Sequence, residues 1–243
     1  MRLSVIIPLG PHESEVEPLA QNLILLPPDV EILFVRSASL RRSPECEIQL
    51  ENSAALFKKS GHTLRWLSAK DGRASCLNEG ARNAKGEILW FLHADSFFNA
   101  RAAAALYEHI QKYPKALLYF KLAFRKKWMP FMMLNEWGAG LRSRVFRLPF
   151  GDQGFCLRKD VFKKIGGYPE GLAYGEDHLF VWAAHHLGIP VQPIDEKLFT
   201  SLRKYQQYGW LKTTFTHQKQ WIKQAWPEWK KYRKQKRRGL TTV

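Results

Sequence analysis

The stretch ILWFLHADSFF, residues 88 to 98, decides the fold of this chain. It opens with an apolar run from Ile88 to Leu92, which favours a strand buried on both faces because no polar residue alternates within it. His93 and Asp95 follow with one alanine between them, so on an extended segment both side chains project to the same side. The pattern therefore predicts a buried strand that carries a histidine and a carboxylate at its carboxyl end.

Strands and helices alternate through the first half of the chain. The predicted strands are residues 3–9, 30–35, 63–67 and 88–92, and the predicted helices are residues 14–26, 45–60, 73–84 and 100–112. This alternation indicates an α/β fold with a parallel sheet covered by helices on both faces. Since such sheets bind ligands beyond the carboxyl ends of their strands, we expect Asp95 to lie at a ligand site.

The second half of the chain is less regular. We expect strands at residues 116–124 and 154–157, a short helix at 160–165 and a longer helix at 176–187. The basic, tryptophan-rich residues 208–237 also favour a helix, and Pro227 predicts a break within it. One compact domain with a helical extension at its end is the simplest architecture.

Composition narrows the class of protein. The chain has 243 residues, is 45% hydrophobic and carries a formal net charge of +16, which calls for an anionic partner such as nucleic acid, an anionic membrane surface or a phosphorylated substrate. Three cysteines without ligand spacing argue against a disulfide framework or a zinc site and favour the cytoplasm. We find neither a signal peptide nor an apolar run of roughly 20 residues, so we expect no integral membrane segment.

Two sets of residues could bind a charged ligand. His93 and Asp95 could hold a divalent cation or contact a ribose and diphosphate, or they could form a polar turn in which Asp95 caps the next helix. Arg73, followed by Asn78 and Gly80, lies at the start of a predicted helix. It could bind a phosphate there, or it could be solvated.

Two glycine-containing motifs come later in the chain. Gly151-Asp152-Gln153-Gly154 would let the backbone approach another group closely, or it would form a tight turn before a strand. Gly175 precedes Glu176 and Asp177, which open a predicted helix. A carboxylate at this junction could act as a general base, whereas acids in a first helical turn are also favoured by the helix dipole alone.

Together these motifs resemble the inverting family-two glycosyltransferases with the GT-A fold, a mostly parallel sheet flanked by helices. The resemblance rests on the order and spacing of GRASCLNEGARNAKGEILWFLHADS (72–96) and FGDQGFCLRKDVFKKIGGYPEGLAYGEDHLFVWAAHHLG (150–188), after a first strand that contains VIIP. The FLHAD and GDQ versions are similar to a small bacterial, arsenosugar-biosynthesis-like subgroup. The resemblance covers about residues 1–215 and leaves residues 216–243 as a basic, tryptophan-rich helical extension.

The resemblance implies a transfer of a sugar from a nucleotide-diphosphate-sugar donor to an acceptor hydroxyl. Asp95 would bind a divalent metal, Mg²⁺ or Mn²⁺, that bridges the donor diphosphate. Asp177 would be the catalytic base, and Glu176 would orient the site or contact the acceptor. The remaining residues that it assigns are Pro8, Arg36, Arg73, Asn78 and His93 on the donor side, and Asp152 and Gln153 on the acceptor side.

Two residues need separate comment. The family's second strand ends in an acid that contacts the base and ribose, but this chain has Arg36 and Ser37 there. Arginine cannot accept hydrogen bonds, so it would stack on a base or meet a phosphate, which weighs against a UDP donor.

His217 would complete the metal shell, or it would be a surface histidine on a basic helix.

The basic tail leaves two interpretations open. Trp221, Ile222, Trp226 and Trp229 lie among many Lys and Arg, a pattern typical of a peripheral contact with an anionic membrane that would suit a lipid-linked acceptor. The same residues could instead pack onto the domain. No nucleic-acid module is present in the sequence, so we do not expect nucleic acid as the partner. The alternative to an enzyme is a glycosyltransferase-like binding or scaffold protein without transfer activity.

Overall fold

The protein is described here by a computed structural model that covers residues 1–10, 17–39, 44–125, 131–202 and 210–238. The strands are β1 (Leu3–Leu9), β2 (Glu31–Ser37), β3 (Thr63–Ala69), β4 (Ile88–Phe91), β5 (Leu117–Phe124), β6 (Cys156–Arg158) and β7 (Val191–Thr200). The helices are α1 (Glu17–Leu23), α2 (Pro44–Lys59), α3 (Arg73–Asn83), α4 (Ala100–Lys112), α5 (Phe131–Val145), α6 (Lys159–Ile165), α7 (Glu176–His186) and α8 (Trp210–Arg237).

The strands form one sheet in the order β3-β2-β1-β4-β6-β5-β7. The first four strands in that order are parallel, and β7 runs parallel to β5. Only β6 among these strands is antiparallel, to both β4 and β5. The prediction of a mostly parallel α/β sheet is therefore confirmed.

Helices cover both faces of the sheet because its central strands are apolar on both sides. In β1, Val5 and Ile7 belong to a core cluster that includes residues of α1 and α4. Ile6, between them, belongs to a second cluster with residues of α3, α6 and α7. The continuous apolar run of a central strand thus supplies two cores at once.

The sequence did not predict β7 or α5. In β7 buried and exposed positions do not alternate regularly, and its partner β5 has an irregularity between Phe120 and Lys121. In α5 the large apolar residues face outward, while two glycines, Gly138 and Gly140, weaken the helical signal.

The expected break at Pro227 is wrong. Helix α8 runs from Trp210 to Arg237 with Pro227 inside it. Trp221 and Tyr232, on either side of the proline, both pack against the core cluster that contains α7. Tertiary packing of both halves compensates for the backbone hydrogen bond that proline removes. Among the described helices, none combines the length and the apolar character that crossing a membrane requires.

A buried carboxylate connects the strands at one edge of the sheet. Glu31 in β2 is fully buried, and its side chain accepts hydrogen bonds from Ser4 Oγ at 2.6 Å, Lys85 N at 2.7 Å and Arg65 Nη1 at 2.7 Å. Burial alone would raise the pKa of Glu31, but these hydrogen bonds and the charge of Arg65 outweigh it, so the pKa lies below its usual 4.5.

Replacing Arg65 with methionine should lower the free energy of unfolding by about 3 kcal/mol near neutral pH, because it leaves a buried carboxylate without its cation. Since the pKa of Glu31 is lowered in the folded state, the wild type loses this stabilisation as pH falls below 4.5. The difference between variant and wild type should therefore shrink in acid. Urea unfolding at neutral and acidic pH measures it, with Arg65→Met compared with Arg101→Met, an exposed position on α4. Equal losses at both pH values would contradict the expectation.

Candidate functional site

A cavity of about 530 Å³ lies beyond the carboxyl end of β4. It brings together Arg73 at the start of α3, His93 and Asp95 after β4, Asp152 in a short 3-10 turn, and Asp177 in the first turn of α7. These five residues were all assigned to a site from the sequence, and they come from four separate segments of the chain. Residues of α5 and α8 form another part of the cavity wall.

Asp177 is held as a carboxylate. Its Oδ2 accepts a hydrogen bond from the backbone N of Gly151 at 2.6 Å, and its Oδ1 accepts one from the backbone N of His178 at 2.8 Å. Burial would raise its pKa, but the charge of Arg73 and these two N–H groups outweigh burial and lower the pKa below its usual value. Asp177 is therefore ionised at neutral pH.

Gly151 is required by the close approach of two site residues. A Cβ atom at this position would lie 2.8 Å from Arg73 Nη2 and 3.0 Å from Asp177 Oδ2. Any side chain here would push the arginine and the carboxylate away from the backbone. The close approach that the glycine-flanked motif suggested is thus present, between the 3-10 turn and the start of α7.

Arg73 connects three of the other site residues. Its Nη1 donates to Glu176 Oε1 at 3.1 Å, and its Nη2 bonds to His93 Nε2. Because a guanidinium only donates, His93 Nε2 is the acceptor in this contact. The positive charge of Arg73 also lowers the pKa of Asp177. Arg73 therefore neutralises the acids of the site as well as lining the cavity.

Asp152 differs from Asp177 in its surroundings. Its Oδ1 is buried and accepts no hydrogen bond from any residue that the structure describes. Burial, together with the negative charges of Asp177 and Asp95, outweighs the opposing charges of Arg142 and Arg73 and raises its pKa to about 6. A buried acceptor without a partner is unfavourable, so this carboxyl group is suited to accept hydrogen bonds from a ligand.

Asp95 is the residue best suited to a metal. Its Oδ2 accepts from Ser201 Oγ at 2.7 Å and from Thr200 Oγ1 at 3.3 Å. Within the described ranges, no three or more His, Cys, Asp or Glu side chains are grouped so that they could hold a metal. Mg²⁺ is often held by one or two carboxylates together with substrate phosphates and water, so the single carboxylate of Asp95 fits a metal that arrives with a diphosphate. His217 lies in α8, but its side chain is outside the described residues.

Two residues assigned to the donor side lie in the sheet and do not line this cavity. Pro8 is buried in β1, where it pairs with Val35. Arg36 is half-buried near the end of β2, where it pairs with Leu9 and Ser68. Their roles toward a nucleotide stay predictions.

Asn78 and Gln153 hold loops in place. The Asn78 amide accepts from Tyr168 N at 2.9 Å and donates to Tyr168 O and to Glu170 Oε1, both at 2.8 Å. Buried Gln153 donates from Nε2 to Phe120 O at 2.9 Å. Neither side chain lines the cavity, and their assigned donor and acceptor roles stay predictions.

No motif in the sequence predicted the wall that α5 and α8 form. That wall includes Leu134, Asn135, Trp137 and Gly138 of α5, and Gln218, Trp221 and Gln224 of α8. Most of these side chains are apolar or amides, which carry no motif of their own. One signal of the α8 contact was available in Gly175. Its φ of +83° favours glycine, and a Cβ atom at this position would also overlap the side chain of Gln224. Gln224 Nε2 also donates to Tyr174 O at 3.0 Å, so α8 contacts the loop that leads to Asp177.

Solved glycosyltransferase structures share this fold. Residues 1–349 of TarS from S. aureus align with a TM-score of 0.61 and 18% identity, over 83% of this chain and 60% of that one. The mannosyltransferase PcManGT from Pyrobaculum calidifontis, in complex with GDP-Man and Mn²⁺, aligns with a TM-score of 0.60 and 19% identity, over 81% of this chain and 56% of that one. At such identities the likeness shows the fold. The chain thus spans less than two thirds of the length of these structures, and no curated protein sequence matches it.

A family model also matches the sequence. The model of glycosyl transferase family 2 matches residues 4–166, a range that contains β1 to β6 together with Asp95 and Asp152. The acidic pair at the start of α7 lies beyond the matched range, although it meets Arg73 and Gly151 in the folded chain. Since the match extends over more than half of the chain, this protein belongs to glycosyl transferase family 2.

Proposed function

We propose that this chain is an inverting glycosyltransferase that moves a sugar from a nucleotide-diphosphate-sugar donor to an acceptor hydroxyl, with Asp177 as general base. The observation that carries the proposal is the ionised Asp177 carboxylate in the cavity wall, fixed by the backbone N–H groups of Gly151 and His178. Membership of glycosyl transferase family 2 supports the reaction class.

The base acts on the acceptor. As the acceptor oxygen attacks the anomeric carbon, Asp177 takes its proton, and the bond between that carbon and the diphosphate oxygen breaks on the opposite face. The configuration is therefore inverted. A carboxylate with a low pKa is a weak base toward a free alcohol, but the hydroxyl becomes acidic as the new C–O bond forms, so transfer becomes favourable during the attack. Arg73 keeps Asp177 ionised until then.

Asp152 would position the acceptor. It lines the same cavity as Asp177 and has an unused, buried acceptor atom. Hydroxyl groups of an acceptor would donate to it and remove the cost of an unsatisfied buried oxygen, about 1–3 kcal/mol. This assigns to Asp152 a binding role that complements the proton transfer by Asp177.

The donor diphosphate would lie near Asp95. With a divalent cation bound, Asp95 would hold it beside the diphosphate, and the ion would neutralise charge on the leaving group. His93 and Arg73 lie in the same wall, where Arg73 adds a fixed positive charge. Solved structures with this fold contain UDP-GlcNAc in TarS, and GDP-Man with Mn²⁺ in the mannosyltransferase. Arg36, in place of an acid at the end of β2, would contact the nucleotide through stacking or a phosphate.

The second candidate is a binding protein without transfer activity. It is favoured by Arg36, which stands where the resemblance implies an acid. It predicts that the wild type binds donor without turnover, so measuring both quantities on the wild type separates the two candidates.

Replacing Asp177 with asparagine should lower turnover by about 10²- to 10⁴-fold and leave donor affinity unchanged, because the amide keeps the shape but cannot take a proton. Release of nucleoside diphosphate in the presence of acceptor measures turnover, and calorimetry measures donor binding. Glu108→Gln, an exposed position on α4, is the control for the loss of one carboxylate. Turnover that survives in Asp177→Asn would remove the base assignment. A wild type that binds donor without turnover would support the binding protein.

Replacing Asp152 with asparagine should stabilise the fold above pH 6 while it weakens acceptor binding. The pKa of Asp152 rises from 3.8 to about 6 on folding, so ionisation costs stability as pH rises through this window. Asparagine removes that cost, which amounts to at most about 3 kcal/mol. Unfolding free energies at pH 8 and pH 4 should show a gain only at the higher pH, and the acceptor KM should rise. A loss of stability at pH 8, relative to Glu108→Gln, would contradict this account.

The metal can be tested without turnover. A nucleoside diphosphate should raise the melting temperature more with Mn²⁺ or Mg²⁺ than with EDTA, and a tenfold gain in affinity corresponds to roughly 2–4 °C for a domain of this size. Asp95→Asn should abolish the metal-dependent part of this rise in melting temperature and keep the part that is seen with EDTA. Identical shifts with metal and with EDTA in the wild type would rule out Asp95 as a metal ligand in this complex.

A further inference from the structure

Helix α5 presents a row of exposed apolar side chains. Leu134, Trp137, Leu141 and Val145 are 55%, 65%, 45% and 61% exposed, and their spacing of three or four residues places them on one face of the helix. Buried Ala139 lies on the other side, facing the domain. Exposed apolar rows of this kind mark interaction surfaces, since monomeric proteins seldom leave them in water.

Helix α8 presents a second row. Phe215, Ile222, Trp226 and Trp229 are exposed and fall on one face, at positions seven, four and three residues apart. The side chains that contact the rest of the chain, such as Trp221 and Tyr232, project from a different face. One side of the helix thus packs onto the domain, and another side stays exposed.

Positive charge accompanies the α8 row. The helix carries nine Lys or Arg and one acid, Glu228, which pairs with His186 and with Lys231. Lys230 lies over the Trp226 ring and Arg233 over the Trp229 ring, with cation-to-centroid distances of 5.0 and 4.8 Å. Lysines and arginines beside exposed tryptophans are the composition of a helix that lies in a membrane interface.

This composition fits an anionic lipid surface better than other partners. Protein interfaces are depleted in lysine, whereas here basic residues flank the apolar row along the helix. The rings of Trp226 and Trp229 stack on each other at 5.3 Å, so neither offers both faces to a base of a nucleic acid. Each Lys or Arg near an anionic bilayer adds roughly 1 kcal/mol of attraction, so several together give appreciable binding.

The two helices also border the candidate active site. Leu134 and Trp137 of α5, and Trp221 and Gln224 of α8, line the cavity that contains Asp177. Asn135 Nδ2 donates to Thr214 Oγ1 at 3.4 Å, so the helices meet beside that cavity. A surface that engages both helices would therefore lie next to its entrance.

We propose that the apolar rows of α5 and α8 form a docking surface for an anionic bilayer, which brings the cavity entrance to the lipid headgroups. The docking rests on exposure and charge alone. The consequence that the acceptor hydroxyl belongs to a membrane lipid rests in addition on the proposed function. Apolar side chains enter the interface, and the Lys and Arg beside them contact lipid phosphates.

Co-sedimentation of the full chain with vesicles tests the docking surface. Binding should be at least tenfold tighter to vesicles of phosphatidylcholine with phosphatidylglycerol than to phosphatidylcholine alone, and it should weaken as salt rises. Leu141→Ser with Val145→Ser, and separately Ile222→Ser with Trp226→Ser, should each weaken binding at least tenfold. Lys223→Glu with Lys230→Glu should reduce the preference for anionic vesicles at least tenfold.

Matched control variants lie at the other end of the sheet, on the α1–α2 side beside β3. Ile24→Ser with Leu25→Ser removes two exposed apolar residues there, and Lys58→Glu with Lys59→Glu reverses two exposed charges. Both controls should bind vesicles as the wild type does. Circular dichroism and the melting temperature verify that each variant is folded.

Several outcomes would overturn the docking surface. These are wild-type binding that does not depend on anionic lipid, equal losses in test and control variants, and no binding to either vesicle. A dimer in light scattering that the α8 pair dissociates would assign the row to a second copy of this chain instead. Because the assay contains no donor, Asp177→Asn should bind vesicles like the wild type, so failure of docking and failure of the proposed transfer are separate results.

Discussion

The contact between Arg73 and the acids at the start of α7 is the interaction on which the site depends. Arg73 is the first residue of α3, whereas Glu176 and Asp177 come about a hundred residues later, at the start of α7. Burying two adjacent carboxylates is unfavourable unless a cation accompanies them. The guanidinium meets this need, and Gly151 leaves room for it. The loop that contains Asp152 is thereby held against Asp177.

The charges and hydrogen bonds of this cluster move the pKa values of two carboxyl groups in one cavity in opposite directions. Arg73 and two backbone N–H groups lower the pKa of Asp177, whereas burial and like charges raise that of Asp152 to about 6. Pairs of acids with divergent pKa values are characteristic of sites in which one group transfers protons and the other binds. The division of roles that we propose for Asp177 and Asp152 thus has a physical origin in their neighbours.

Motifs made the acidic side of the site predictable, and packing made the other side unpredictable. Asp95, Asp152 and Asp177 stand in glycine-containing or strand-end contexts that local chemistry explains, and all three line the cavity. Arg73 could be placed at a helix start, but its contact with Glu176 depends on a long-range approach that no local pattern encodes. The α5 wall escaped prediction for a related reason, since its outward apolar residues resemble neither a core helix nor a loop. At Pro227 a local pattern was misleading. Proline predicts a break in the helix, but packing on both sides of it keeps α8 continuous.

Helix α8 connects the site to the exterior because its faces have different partners. Gln224 occupies the space above Gly175 and donates to Tyr174 O, so the position of α8 constrains the loop that presents Asp177. The outward face of the same helix carries Trp226 and Trp229 beside Lys and Arg. Any partner that fixes the outward face restricts the motion of the whole helix, since a helix moves largely as a rigid body over this length. Ordering at the surface would then reach the loop that precedes Asp177 through contacts such as that of Gln224 with Tyr174 O, without any rearrangement of the sheet.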